Sequence, residues 1–338
     1  MKIAIIGNSG HGAAAVSERN LQTDGEVIGY CPGFPEESLD GLEKVFEQKG
    51  IRSCRFSSPQ EMLSHIKPDV LVVDSMFSQH SQWAEWGLKN GIHVFCEKPL
   101  ATELNQLESL AKTAEKSHAL LWGILPTRYM PWFYTAKQLI EQGAVGKIRL
   151  FQGQKSYKLG TRPDFFQHRE CFGGITPWVS VHLIDLMLWF SGSLCEKVSS
   201  FQSSQDNFGH GDLEMVSTTI MKLEHDILAQ INADYYRPSA APSHGDDRLR
   251  IVGTEGVLEI QMQQVTLIDS KGFQKIPLIN PERELFEDFL YHIQHPEQTS
   301  PRFSNGLLSS YVCLKAREAA DQEKTISLLC NNSPSIIL

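Results

Sequence analysis

Lys2-Ile3-Ala4-Ile5-Ile6-Gly7-Asn8-Ser9-Gly10-His11-Gly12 is the stretch that decides the fold. An apolar run ends in a glycine-rich turn, and Ala13 to Arg19 then reads as a helix, so the chain opens strand, tight turn, helix. Amides left free at the start of a helix carry partial positive charge and can hold phosphate. The spacing follows the dinucleotide fingerprint G-x-G-x-x-G, with Gly7, Ser9 and Gly12 in the glycine places. Ser9 stands where a second glycine would let backbone approach a pyrophosphate; Gly10 beside it restores room, and the Ser9 hydroxyl adds a donor. Gly7, Ser9, Gly10, His11 and Gly12 are therefore candidate cofactor-binding residues, although a purely structural tight turn would use the same glycines.

Outward from this turn the pattern repeats. Glu26 to Tyr30 reads as a second strand, Leu42 to Lys49 as a helix, Val70 to Val73 as a buried strand, and Ser81 to Lys89 as a helix closed by Gly91. Val94-Phe95 is a further strand, Leu104 to Lys116 a helix, and Ala119 to Gly123 a last short strand. Alternation of this kind predicts a doubly wound parallel sheet covered by helices. From about Pro126 the grammar changes to period-two strands: Ile148 to Ser156, Glu196 to Gln202, Glu214 to Leu223, Ile227 to Tyr235, Leu249 to Val252, Val257 to Gln261 and Gln264 to Ile268. Helices are expected at Pro131 to Gln142, Val181 to Phe190, Glu284 to Ile293 and Leu307 to Gln322. The fold class is thus α/β followed by α+β: a dinucleotide-binding domain over residues 1–124, then a domain over 125–338 with an open, mainly antiparallel sheet for substrate binding and oligomerisation.

Composition narrows the function classes. The chain has 338 residues, enough for two cores, and its 31 basic against 40 acidic residues give a formal charge of -9, which disfavours nucleic acid and anionic membrane as partners. Its 7 cysteines are scattered, with no C-x-x-C pair, so neither a disulfide framework nor a zinc site is expected. No apolar run approaches a membrane span. A cytoplasmic protein without a metal is the expectation.

Chemistry enters at Cys96-Glu97-Lys98-Pro99-Leu100, which puts a lysine at the exit of a strand, where open α/β sheets bind ligands. Pro99 biases Lys98 toward extended backbone and allows a cis bond at modest cost. Far downstream, His182 and Asp185 stand three apart at the start of a helix, so both can point the same way; a satisfied core histidine would look the same. Arg162, Arg169, Tyr235 to Pro238 and His244 to Arg248 are polar or aromatic segments able to touch a polyol, and equally able to be ordinary loop. NAD and NADP are not distinguished: Tyr30-Cys31-Pro32-Gly33 occupies the place of the usual ribose-binding acid, and Glu36, Glu37 or Lys44 could approach from the next loop.

Together, Gly7 to Gly12, Ser75 to His80, Glu97-Lys98-Pro99, Arg128 to Pro131, Gly173-Gly174 leading to His182 and Asp185, and Gly253 to Gly256 resemble the Gfo/Idh/MocA family, the relatives of glucose-fructose oxidoreductase and inositol dehydrogenase. The resemblance spans nearly the whole chain. It implies NAD(P)-dependent hydride transfer to or from a sugar, polyol or related ketone, and a homodimer or homotetramer through the second domain's sheet. By position it implies Lys98 and His182 as the catalytic pair, with Ser75, Met76, His80, Glu97 and Lys98 about the cofactor. Arg169, Trp178 and Asp185 are candidate substrate residues. The chain departs from the family at Phe77 and Pro126, where asparagine is usual, at Trp178, where aspartate is frequent, and at Ser180, where glycine is. Trp178 could stack on a sugar face. These departures keep a second reading open, a non-catalytic dinucleotide-binding regulator on the same fold.

Overall fold

The computed structural model describes residues 1–17, 25–298 and 306–328. It divides into two compact units, one of residues 1–125 and 283–307 and the other of 126–282 and 308–338.

The first unit holds a six-stranded sheet built from β1 (Lys2–Ile6), β2 (Glu26–Cys31), β3 (Cys54–Arg55), β4 (Val70–Val73), β5 (His93–Glu97) and β6 (Leu121–Ile124). Its order is β3-β2-β1-β4-β5-β6 with every pair parallel, the dinucleotide-binding arrangement whose switch point lies between β1 and β4. β4 is apolar and buried at every position because helices cover both faces of such a sheet. The helices are α1 (Ala14–Ser17), α2 (Asp40–Lys49), α3 (Pro59–His65), α4 (His80–Lys89) and α5 (Leu104–Lys116). Glu18 and Arg19, expected to extend α1, lie outside the described residues. Gly7 has φ +85°, and a Cβ there would sit 2.4 Å from the Asp74 carbonyl oxygen, so only glycine closes the β1 turn against β4.

The second unit is built on a nine-stranded sheet of order β14-β13-β12-β11-β7-β10-β9-β8-β15. Its strands are β7 (Ile148–Tyr157), β8 (Cys195–Ser203), β9 (Val216–Leu223), β10 (Ile227–Asp234), β11 (Gly245–Gly253), β12 (Gly256–Gln261), β13 (Gln264–Asp269), β14 (Gly272–Ile276) and β15 (Ile326–Ser327). All pairs are antiparallel except β7 with β10. The helices α6 (Pro131–Glu141), α7 (Arg169–Phe172) and α8 (Val181–Ser191) follow in chain order. α8 packs on β7 and β10, and a Cβ on Gly153 would meet Leu183 at 2.8 Å, which is why a glycine lies under the helix. The helical run Arg169–Ser191 is long and apolar enough to cross a membrane, and 94% of an apolar 18-residue stretch within it is buried inside the protein. The opposite face of the sheet exposes Phe201, Ile220 and Leu228.

α9 (Leu285–Gln294) belongs to the first unit, where Phe286 and Phe289 pack on Phe95, and Phe289 also meets Trp122. The single boundary expected near residue 124 is therefore incomplete, because the chain returns to its first core before α10 (Leu307–Gln322).

Candidate functional site

Carboxylates crowd the β1 turn. The amide of Asn8 donates to Glu37 Oε1 at 2.9 Å, that of His11 to Glu97 Oε2 at 2.7 Å, and that of Gly12 to Asp74 Oδ2 at 2.8 Å. The Ser9 hydroxyl also donates to Glu37, and the Gly33 amide reaches the second oxygen of Glu37 at 2.7 Å. Glu37 thus folds back from the loop after β2 onto the β1 turn. Asp74 and Glu97 are fully buried, and their side chains leave no space for a Cβ on Gly10, which would lie 2.7 Å from Glu97 and 2.8 Å from Asp74. Burial pushes the Asp74 carboxyl well above its usual range, and the Glu97 charge pushes it further. Burial also acts to raise Glu97, but His11 and Lys98 outweigh it and hold Glu97 below the usual range.

Lys98 leaves β5 as the sequence predicts, and it is only 2% exposed. Its amide donates to Glu97 Oε1 at 3.0 Å, and Nζ lies 3.8 Å from the same oxygen. The Lys98–Pro99 bond is cis. His80 Nδ1 is 2.7 Å from the Pro99 carbonyl and Nε2 is 2.8 Å from the Ser75 carbonyl, so this buried ring lies between the lysine corner and the exit of β4. Burial holds its pKa below the usual histidine value. A neutral His80 has one N–H and so donates to only one of these two carbonyls. Ser75 and Met76 lie on the segment beside it.

In the second unit, Gly173 ends α7 with φ +89° and Gly174 follows at φ +106°, turning the chain into a π-type turn at Thr176–Ser180 that continues as α8. Such turns recur at functional sites. His182 and Asp185 stand three apart near the start of α8, both buried. Asp185 is gripped by Arg128, whose Nε and Nη2 donate to its two oxygens at 2.7 and 2.6 Å. That fork is a partner the sequence analysis did not assign; the signal was an arginine just before the Pro131 helix start. Trp178 is buried with its ring edge-to-face on Phe166 at 5.9 Å. Arg169 is committed to Glu214 at 3.3 Å and Asp321 at 2.7 Å. Arg162, which the sequence ranks equally with Arg169, lies instead over the rings of Phe166 and Tyr235.

A glycine-rich turn at the end of β1, beside the switch point, is where this fold seats a dinucleotide. Here its amides are taken by protein carboxylates, Asn8 by Glu37, His11 by Glu97 and Gly12 by Asp74, which a pyrophosphate would have to displace. The parallel sheet and this turn define a dinucleotide-binding Rossmann unit. Residues 1–123 match the oxidoreductase family with an NAD-binding Rossmann fold, and residues 133–259 match the GFO/IDH/MocA C-terminal domain; the chain belongs to the GFO/IDH/MocA family. It is 26% identical to scyllo-inositol 2-dehydrogenase (NAD(+)) of Bacillus subtilis, over 78% of this chain and 76% of that one. It is 22% identical to myo-inositol 2-dehydrogenase of Thermotoga maritima, over 97% of this chain and 98% of the relative. Among solved structures, a Thermotoga maritima oxidoreductase of unassigned activity superposes with a TM-score of 0.92 at 39% identity, covering 97% of this chain and all of that one.

Proposed function

We propose that the protein oxidises or reduces a CH–OH group of a sugar or polyol with NAD(H), Lys98 exchanging the hydroxyl proton and His182 assisting it. The observation that carries this is Lys98 itself, buried at the carboxyl end of a central strand in a sheet that ends in a cradle for a dinucleotide. Bound NAD supplies the hydride acceptor or donor. Lys98 takes the proton as the alcohol is oxidised and returns it in reduction. Glu97 fixes the lysine from beneath, and His80 lies against the backbone of the corner. Arg128 holds Asp185 and with it the start of α8, the helix that carries His182. The inositol dehydrogenases among its relatives support a polyhydroxylated substrate.

The Glu37 carboxylate beside the turn supports NAD over NADP, since a 2′-phosphate would meet a negative charge. The exposed sheet face bearing Phe201, Ile220 and Leu228 supports association with a second copy, and the composition supports a cytoplasmic enzyme without a metal.

The test is fluorescence titration with NADH and NADPH, followed by absorbance assays on sugars and polyols with wild type and Lys98→Ala. NADH should bind at least about tenfold more tightly than NADPH, roughly 1.4 kcal/mol. Lys98→Ala should lower kcat by about 100-fold or more while NADH binding is retained. Turnover that persists in Lys98→Ala sinks the lysine's role. Binding with no turnover on any substrate favours the regulator, and no dinucleotide binding refutes both readings.

A further inference from the structure

The β1 turn lies directly on two buried carboxylates. A Cβ on Gly10 would sit 2.8 Å from Asp74 Oδ1 and 2.7 Å from the Glu97 side chain, and one on Gly12 would sit 2.7 Å from Asp74 Oδ2, so nothing separates the turn from these acids. Asp74 follows β4, the strand between β1 and β5, and is fully buried. Its Oδ2 accepts from the Gly12 amide at 2.8 Å, while Oδ1, aimed at Gly10, is buried with no hydrogen-bond partner. An ionised carboxylate with one oxygen unpaired in the interior is costly, and a proton removes the charge. The turn itself reaches solvent, with Gly10 and His11 exposed.

The groups around Asp74 mostly share its sign. Glu97 faces it from β5 and Glu37 from the loop after β2. The Cys96 thiol, also on β5, is pushed well above its usual range by burial, then by Glu97 and Asp74. Burial raises Glu37 as well, against the pull of Ser9, Asn8 and Gly33. The nearby cations are Lys98 and, when protonated, the His11 ring; both lie against Glu97, at 3.8 and 3.1 Å. This arrangement favours the charge on Glu97 and the proton on Asp74.

We propose that Asp74 decides when this turn takes a dinucleotide: the diphosphate docks only while Asp74 carries a proton. The inference deepens the proposed function at its cofactor turn and rests on that turn seating the diphosphate. Two effects act in the same direction. A diphosphate brings negative charge to amides that Glu97 and Asp74 now hold, and beside an ionised, buried Asp74 it would meet strong repulsion. A neutral carboxyl is also a weaker acceptor than a carboxylate, so it gives up the Gly12 amide more readily. Binding therefore favours the protonated form, and affinity is complete at pH values where free Asp74 is protonated and falls as pH rises and Asp74 ionises.

The experiment titrates the full chain with NADH by fluorescence from about pH 6 to about pH 9.5, for wild type, Asp74→Asn and His11→Asn, on protein whose circular dichroism is unchanged across that range. Calorimetry in buffers of different ionisation enthalpy counts the protons taken up. Wild-type affinity should fall about tenfold per pH unit above its turning point, with about one proton taken up per NADH there. Asp74→Asn, neutral at every pH and still offering an oxygen to Gly12, should hold its acid-side affinity to the alkaline end and take up no such proton. His11→Asn, whatever its absolute affinity, should keep the wild-type fall. A fall in Asp74→Asn parallel to wild type overturns the proposal, as does a flat wild-type profile without proton uptake. Should Asp74→Asn fail to fold, the other two proteins decide: proton uptake that survives His11→Asn supports the proposal, and uptake lost with His11 overturns it. NADH binding that ignores pH overturns this inference alone, whereas no NADH binding by any of the three proteins refutes the dinucleotide reading with it.

Discussion

Asp74 shows what a single buried carboxyl does to this turn. Its oxygen accepts from Gly12, yet burial and the neighbouring Glu97 charge keep its pKa well above the usual value near 4. The folded protein therefore holds a proton that the unfolded chain releases, so the stability this group contributes is present at low pH and is lost as pH rises toward the raised value. Asp74→Asn keeps an oxygen for the Gly12 amide and removes the repulsion. Urea unfolding between about pH 5 and about pH 9 should show the variant gaining on wild type as pH rises; parallel curves would mean that Asp74 is ionised in the fold. Lys98 and the glycines were legible in the sequence because strand exits and tight turns have chemical punctuation. Asp74 was not, since an acid after Val70–Val73 reads equally as the end of a strand. Glu37 was visible only as one of several charges in a loop, and only folding showed that it points back at Asn8 and Ser9.

The fork between Arg128 and Asp185 joins two elements, the 3₁₀ turn Pro126–Tyr129 and the start of α8. Arg128 is 11% exposed and Asp185 2%, so solvent cannot replace either partner. Burial acts to lower the Arg128 pKa, and Asp185 reverses this, leaving it raised. Arg128→Ala strands a buried carboxylate and should cost about 3–5 kcal/mol in urea unfolding, whereas the double variant with Asp185→Asn should recover much of that loss. A loss no larger in the single variant than in the double would show that the ion pair does not hold these elements together. Periodicity found α8 and most strands of the second sheet because one face is buried and the pattern records it. It did not show that β7 and β10 are parallel, because alternation is the same for either direction. The short α3 and β14 also escaped, being too brief for their period to register.

At the scale of the molecule, the chain leaves its first core near residue 125 and comes back to it. The change of grammar at Pro126 made the departure readable. The return was not, because an amphipathic helix does not record which core its apolar face enters, and α9 looked like one more helix of the later domain. Its face is aromatic: Phe286 and Phe289 are fully buried, and they cover Phe95 at 5.0 and 5.3 Å. A fragment ending at residue 125 therefore lacks part of its own core. Covering these two rings contributes about 3–6 kcal/mol, so such a fragment should unfold at much lower urea than the same fragment carrying residues 283–307 through a flexible linker. It should also bind an apolar dye through the uncovered Phe95 and Trp122, and the linked segment should abolish that binding. Equal stability of the two fragments would show that the first 125 residues complete their core unaided; a difference of the expected size makes α9 a part of the dinucleotide-binding unit, separated from it in the chain by the whole second sheet except β15.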